Sequence, residues 1–260
     1  TPHPEVAAFW EEAGGVDGAY GAPVGEPACT EGSAGETCWQ RYENGTIRWR
    51  EGVGVIDCAV LECVALTFDD GPAPDTPGLL DFLVDRNVQA TFYVVGNRID
   101  GFFGDVMPRY AEAGMELGNH SWDHADLRTL SAEALAQQVR DTNARIVERG
   151  GIAPRSLRPP FGSRNAQVDG AAGQEGLYVV NWSGGPADWE PQSVQSMIDR
   201  TLASTVRGSV ILLHDLNPKA VEAVPGILDG LEAAGYTLVT VEDMFGPMEP
   251  GAFVAAGAGN

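Results

Sequence analysis

Val64-Ala65-Leu66-Thr67-Phe68-Asp69-Asp70-Gly71-Pro72 runs from an apolar strand straight into two adjacent carboxylates and a turn. The apolar residues read as a buried strand and Gly-Pro as a strong breaker, so Asp69 and Asp70 stand at a strand's carboxyl end. In parallel α/β folds, ligands bind at that edge. Neighbouring side chains on an extended segment point to opposite faces, which predicts different tasks for the two carboxylates. Taken alone, Asp-Asp-Gly reads more readily as a capped turn with one solvated carboxylate.

Working outward, the chain after residue 60 alternates strand and helix signals, as a parallel sheet requires. Strands are expected at 63–68, 89–95, 115–119, 155–158, 177–182, 208–213 and 236–241, with helices at 76–86, 102–113, 131–149, 191–206 and 218–234. Seven strands with intervening helices predict an incomplete (β/α) barrel. Residues 1–57 differ: glycines punctuate short aromatic pieces carrying Trp10, Tyr20, Trp39, Tyr42 and Trp49, which predicts turns, short strands and one helix near 4–13. Those aromatics either form a small core or face outward.

Composition narrows the partners. The 260 residues carry 37 acidic against 16 basic groups, a net charge of −21, and Lys219 is the only lysine. Such a balance repels phosphate, which disfavours nucleic acid and anionic membrane surfaces. The sequence contains no stretch of roughly 20 apolar residues that could span a bilayer. Cys29, Cys38, Cys58 and Cys63 lack a zinc-type spacing, and their short loops suggest the disulfides Cys29–Cys38 and Cys58–Cys63 rather than four free thiols. An extracellular, secreted protein in its mature form is the expectation.

Three of the four histidines stand at predicted strand ends, and only His3 looks idle. His120 and His124 follow the strand ending at Gly118, at a spacing that sets two imidazoles on one side of a helical turn. With Asp69 or Asp70, they would make a three-ligand catalytic zinc site with a position left for water. His214 follows Val210-Ile211-Leu212-Leu213, where an imidazole suits acid or base work unless it merely bonds Asp215 at the core edge. Arg158 precedes Pro159-Pro160-Phe161-Gly162, a stiff turn able to present an amide N–H to an oxyanion, or simply a turn beside an ion pair.

Thr67-Phe68-Asp69-Asp70-Gly71, His120-Ser-Trp-Asp-His124, Arg158-Pro-Pro-Phe161, Asp188-Trp189 and Leu212-Leu-His214 occur in the order found in the polysaccharide deacetylases of carbohydrate esterase family four. From about residue 60 to 246 the chain resembles that family's NodB-homology domain, so the expected division is a module at 1–57 and a catalytic domain at 58–260. The resemblance implies a deformed (β/α) barrel. It implies a divalent metal, zinc first with cobalt or nickel as alternatives, on Asp70, His120 and His124. It further implies Asp69 as base, Arg158 as its orienter, His214 as acid, the Phe161 amide as oxyanion donor, and an acetyl-sized pocket walled by Trp189 and Leu212.

Two departures stand out: Phe161 replaces the family's usual Tyr, and Gly185 replaces an Asp usually found three residues before position 188. The acidic partner that would tune Arg158 or His214 is then either absent or supplied elsewhere, with Asp188 the candidate for that role. Residues 1–57 resemble an LGFP-type repeat through Trp10, Gly14-Gly15, Gly21-Ala22-Pro23-Val24-Gly25 and Tyr42-Glu43-Asn44-Gly45-Thr46-Ile47-Arg48-Trp49, which implies contact with wall polymer or glycan. The expected activity is removal of acetyl groups from N-acetylglucosamine in chitin, its oligosaccharides or peptidoglycan. The alternatives are an acetylxylan esterase and, in another class, a glycan-binding protein with a vestigial deacetylase domain.

Overall fold

A computed structural model describes residues 1–101 and 104–256 of the chain. After a helix at Pro4–Glu12, four strands form an antiparallel sheet in the order β1 (Ala28–Gly32), β2 (Gly35–Tyr42), β3 (Gly45–Arg50) and β4 (Gly54–Val55). Cys29 lies directly opposite Cys38 across β1 and β2 and is bonded to it; the second disulfide joins Cys58 to Cys63.

The larger sheet comprises β5 (Cys63–Asp69), β6 (Thr91–Val94), β7 (Glu116–Asn119), β8 (Ser156–Leu157), β9 (Tyr178–Val180), β10 (Val210–His214), β11 (Thr237–Val239) and β12 (Phe253–Val254). Its strands are parallel, in the order β10-β5-β6-β7-β8-β9-β12, with β11 also pairing β5. A single parallel bridge from Gly184, just beyond β9, to Ile211 in β10 draws the two margins together. The result is the deformed, incompletely closed barrel.

Alternation along β5 sorts the side chains. Val64, Leu66 and Phe68 join the core under the surrounding helices, whereas Cys63 and Ala65 turn into the barrel. Phe68 stacks on Phe92, with ring centroids 5.0 Å apart. Each such buried side chain contributes about 1.5–3 kcal/mol. The longest helix, Ala132–Gly150, is capped by the Ser131 hydroxyl and ended by Gly151 at φ 66°.

Some elements differ from expectation. The helix expected at 102–113 begins at two residues outside the described ones and is observed as Met107–Glu112. A helix at Ala166–Gln174 and the strand β12 are additional. Ser121 and His124 have φ of 65° and 62°, so their segment is an irregular loop and not a helical turn.

The small sheet docks on the amino-terminal edge of the barrel, away from the carboxylates. Arg48 of β3 donates through Nε to both Asp243 oxygens at 2.9 Å and through Nη1 to the Gly114 carbonyl at 2.6 Å. Arg50 donates to the Leu238 carbonyl at 3.0 Å. The module's aromatics turn inward: Trp10 stacks on Tyr42 at 5.6 Å, Tyr20 and Trp49 pack on the same cluster, and Trp39 is buried against Gly114. None of the five is exposed. Arg48→Met strands a buried carboxylate and is expected to cost about 3–5 kcal/mol, measured by denaturant unfolding. A loss below about 1 kcal/mol would show that this pair does not hold the two sheets together.

Candidate active site

Asp69 and Asp70 reach one place by different backbone routes. Asp69 ends β5 on its inward face, two residues beyond Thr67. Asp70 steps out of the strand at φ 76°, a left-handed conformation uncommon for a non-glycine residue. That step overrides the alternation expected of an extended pair. Asp69 Oδ2 lies 3.6 Å and Asp70 Oδ1 3.5 Å from the same nitrogen, His120 Nε2.

His120 lies just beyond β7, and its Nδ1 sits 2.7 Å from the Arg158 carbonyl oxygen. A carbonyl only accepts, so Nδ1 carries the proton and Nε2 presents a lone pair to the cleft. Burial holds the imidazole pKa below its ordinary value despite the nearby carboxylates, which keeps the ring neutral. His124 is held by its amide, which donates to Ser121 Oγ at 3.1 Å, and its Nε2 lies 3.2 Å from Asp70 Oδ1. The loop is fastened to the long helix: Asn119 donates to the Val139 carbonyl at 2.8 Å, and the Gln138 carboxamide accepts from the Trp122 amide at 2.7 Å.

Asp70 Oδ1 is buried and has no hydrogen-bond donor among the described residues, while its near neighbours are imidazole nitrogens. For the lone pair of His120 Nε2 to face a carboxylate oxygen at 3.5 Å is repulsive unless a cation lies between them. One ligand atom from each of Asp70, His120 and His124 falls within 4.8 Å of the others. Imidazole and carboxylate donors at such spacing fit a divalent ion with bonds of about 2 Å.

The Asp69 carboxylate has a separate support. Arg158, completely buried, donates from Nη1 to Asp69 Oδ1 at 2.8 Å and to Thr67 Oγ1 at 2.7 Å. Its guanidinium lies 4.1 Å from the centre of the Tyr93 ring, and Tyr93 pairs with Asp69 across β5 and β6. The indole of Trp182 stands 6.0 Å away. Neither Tyr93 nor Trp182 was singled out by motif, nor was Thr67 given a task. Thr67 carries the period-2 signal of facing the same way as Asp69, whereas Tyr93 depends on a strand register that one segment cannot reveal.

On the strand next to β5, His214 ends β10 in register with Asp69, and Asp188 comes from the loop beyond β9. Asp188 Oδ1 accepts from His214 Nδ1 at 2.8 Å and Oδ2 accepts from the His214 amide at 2.9 Å. Asp188 is therefore the acidic partner of His214; Asp215 turns away to accept from the Thr76 hydroxyl. Burial lowers the His214 pKa, but the Asp188 hydrogen bond and charge, helped by Asp69 and Asp70, outweigh it and raise it to about 9.

Phe161, in a left-handed turn at φ 62° after two prolines, sets its ring edge-on to His124 at 4.7 Å and is 66% exposed. Trp189, 59% exposed, stands perpendicular to His214 at 6.0 Å. A cleft of about 390 Å³ opens between Asp70, Trp189, His214 and Leu216. Left-handed non-glycine residues gather here: Asp70, Ser121, His124, Phe161 and Ala187. Such conformations cost of order 1–3 kcal/mol each and persist where surrounding structure enforces them, which is characteristic of functional sites.

Residues 59–180 match the family described as polysaccharide deacetylase. A peptidoglycan-N-acetylglucosamine deacetylase of Listeria monocytogenes is 35% identical over 184 residues, 70% of this chain and 39% of that protein, so the chain spans well under half of that relative. A chitooligosaccharide deacetylase of Rhizobium leguminosarum bv. trifolii is 33% identical over 67% of this chain and 88% of its own length. The solved structure of a family 4 acetyl xylan esterase from Clostridium thermocellum, in complex with a cobalt ion, superposes with a TM-score of 0.70 at 31% identity, covering 76% of this chain and 100% of that one. With these matches and the barrel on which its five motifs converge, the chain belongs to the polysaccharide deacetylase family.

Proposed function

We propose that the protein is a metal-dependent hydrolase that removes acetyl groups from N-acetylglucosamine units of a polysaccharide or oligosaccharide. The observation that carries this reading is the buried, donorless Asp70 Oδ1 facing two imidazoles, beside a second carboxylate held by Arg158. Asp70, His120 and His124 would hold the ion, zinc first. When bound, such an ion lowers the pKa of water and polarises a carbonyl.

The chain's own residues supply the proton transfers and orientation. Arg158 fixes Asp69 Oδ1, leaving Oδ2 toward the cleft to take the proton of the attacking water. The Phe161 amide serves as oxyanion donor, held in place by the two prolines. His214, kept protonated and oriented by Asp188, donates its proton to the departing amine. Trp189 and Leu212 flank the acyl group. The test is acetate release from chitopentaose and from acetylated peptidoglycan before and after chelation. Chelation is expected to abolish release and added zinc to restore it; chelator-insensitive turnover would overturn the scheme. Acetylated xylan belongs in the same panel, because the cobalt-containing relative is an acetyl xylan esterase.

His214 must be protonated to act, so its pKa of about 9 places loss of activity on the alkaline side. A cation on Asp70 offsets the help of Asp69 and Asp70, leaving Asp188 as the main support. Asp188→Asn is expected to move the alkaline limb of kcat/KM down toward the ordinary histidine range near about 6.5. An unmoved limb would exclude His214 as the acid.

Residues 1–57 are proposed as a module related to LGFP repeats, followed by the catalytic domain from 58. Because its aromatics form its own core, any grip on wall polymer relies on other groups, and retention on purified wall by a catalytically inactive variant tests it. Two disulfides and a wall or chitin substrate fit an extracellular protein.

A further inference from the structure

Trp189 and Leu212 line a groove wider than an acetyl group. Its other walls include Trp182, Gly184, Gly185 and Ala187, and it measures about 280 Å³. The groove is open along its outer side, and at about 30 Å³ per water in the liquid the three heavy atoms of an acetyl leave much of it unfilled. The cause is local. Gly184 bridges to Ile211, and its carbonyl accepts from the Leu212 amide at 3.0 Å, so this loop lies along β10 like an extra strand. Gly185 follows at φ 137°, where an added Cβ would fall 2.5 Å from the Leu212 carbonyl oxygen. No side chain grows from this wall, although the family usually carries an aspartate at that position.

The groove shares the Trp189 wall with the cleft that holds Asp70 and His214. Trp182 packs against Gly162, the neighbour of Phe161, and stands 6.4 Å from Trp189, which in turn stands 6.0 Å from His214. It therefore lies between the proposed oxyanion donor and the proposed acid, where the acyl chain of a bound carbonyl must extend. Two indoles, a leucine and an alanine supply its apolar lining, while glycine backbone and Ser183, whose Oγ accepts from the Val210 amide at 3.0 Å, supply the rest; no charged side chain lines it, which admits methylenes rather than charge.

We propose that the enzyme accepts N-acyl groups longer than acetyl, namely propanoyl and butanoyl on glucosamine units, with the added methylenes seated in this groove. This rests on the deacylation chemistry above. Water adds its oxygen to the acyl carbon, the C–N bond breaks, and the products are the short-chain carboxylate and the free amine. One methylene in an apolar pocket is worth about 10–200-fold in kcat/KM, so a pocket cut to acetyl rejects propanoyl by at least that lower figure.

The test compares chitopentaose bearing N-acetyl, N-propanoyl or N-butanoyl groups, with the carboxylate released by the zinc-loaded protein quantified. The expected result is propanoyl turnover equal to or above acetyl, with butanoyl within about 10-fold. Hydrolysis of acetyl alone overturns this proposal and leaves the deacetylase reading standing; hydrolysis of none overturns both. Ala187→Leu, at a site already occupied by a side chain at φ 52°, narrows the groove and should lower butanoyl relative to acetyl by at least about 10-fold. Equal losses on all three substrates would show that the acyl chain lies elsewhere.

Discussion

Asp69→Asn is expected to keep its metal and lose turnover by about 100- to 10,000-fold, the range a positioned general base supplies. The substitution preserves shape, and an amide oxygen still accepts from Arg158 Nη1, now 2.8 Å from Asp69 Oδ1. What it removes is the capacity to take a proton. Arg158 loses its carboxylate but keeps Thr67 Oγ1 at 2.7 Å, the Val180 carbonyl at 3.4 Å and the Tyr93 ring at 4.1 Å. The fold should therefore survive with a lowered melting midpoint. Metal content after gel filtration, read beside kcat, separates the outcomes. Full metal with more than about a tenth of normal turnover would remove Asp69 from the role of base.

His120→Ala should abolish both metal retention and activity. It deletes one of three donors and also leaves the buried Arg158 carbonyl without the ring proton it accepts at 2.7 Å. Loss of a residue that merely orients a ligand costs about 10–100-fold in metal affinity, and loss of the ligand itself should exceed that. Competition against a chromophoric chelator gives the affinity directly. An alanine variant that holds zinc within about 10-fold of the parent would move the metal site away from His120.

The strand ends were legible because a buried parallel strand is an apolar run, and a titratable residue just past it stands out: Asp69 after Val64–Phe68, His214 after Val210–Leu213. Their convergence was not local information. Asp69 and His214 meet because β5 and β10 are adjacent strands with those two residues in register, and only the family's motif order anticipated that. The left-handed step at Asp70 was hidden for a different reason. It is imposed by the turn and by Arg98, which donates to the Asp70 carbonyl at 2.8 Å, so tertiary contact overrode the alternation of a strand.

The helix at Ala166–Gln174 escaped notice because Gly170 and Gly173 each weaken a helical signal by about 1 kcal/mol. It forms on the Asn165 cap and on a small buried face of Val168, Ala171 and Ala172. The module's aromatics fit an inward or an outward arrangement equally well in sequence, and the packing of Val6, Tyr42 and Ile47 chooses inward.

The docking of the small sheet bears on how the enzyme would fail. β6 and β7 are four residues long, roughly 13 Å each. Their amino ends adjoin Gln89, which accepts from Arg50, and Gly114, which accepts from Arg48; beyond their carboxyl ends lie Gly96 and His120. Strands this short have no interior to absorb a disturbance. On heating, release of the small sheet and collapse of the metal cradle would be one kinetic event, and the working lifetime of the catalyst would be set from underneath, at an interface on the far side of the barrel from the cleft.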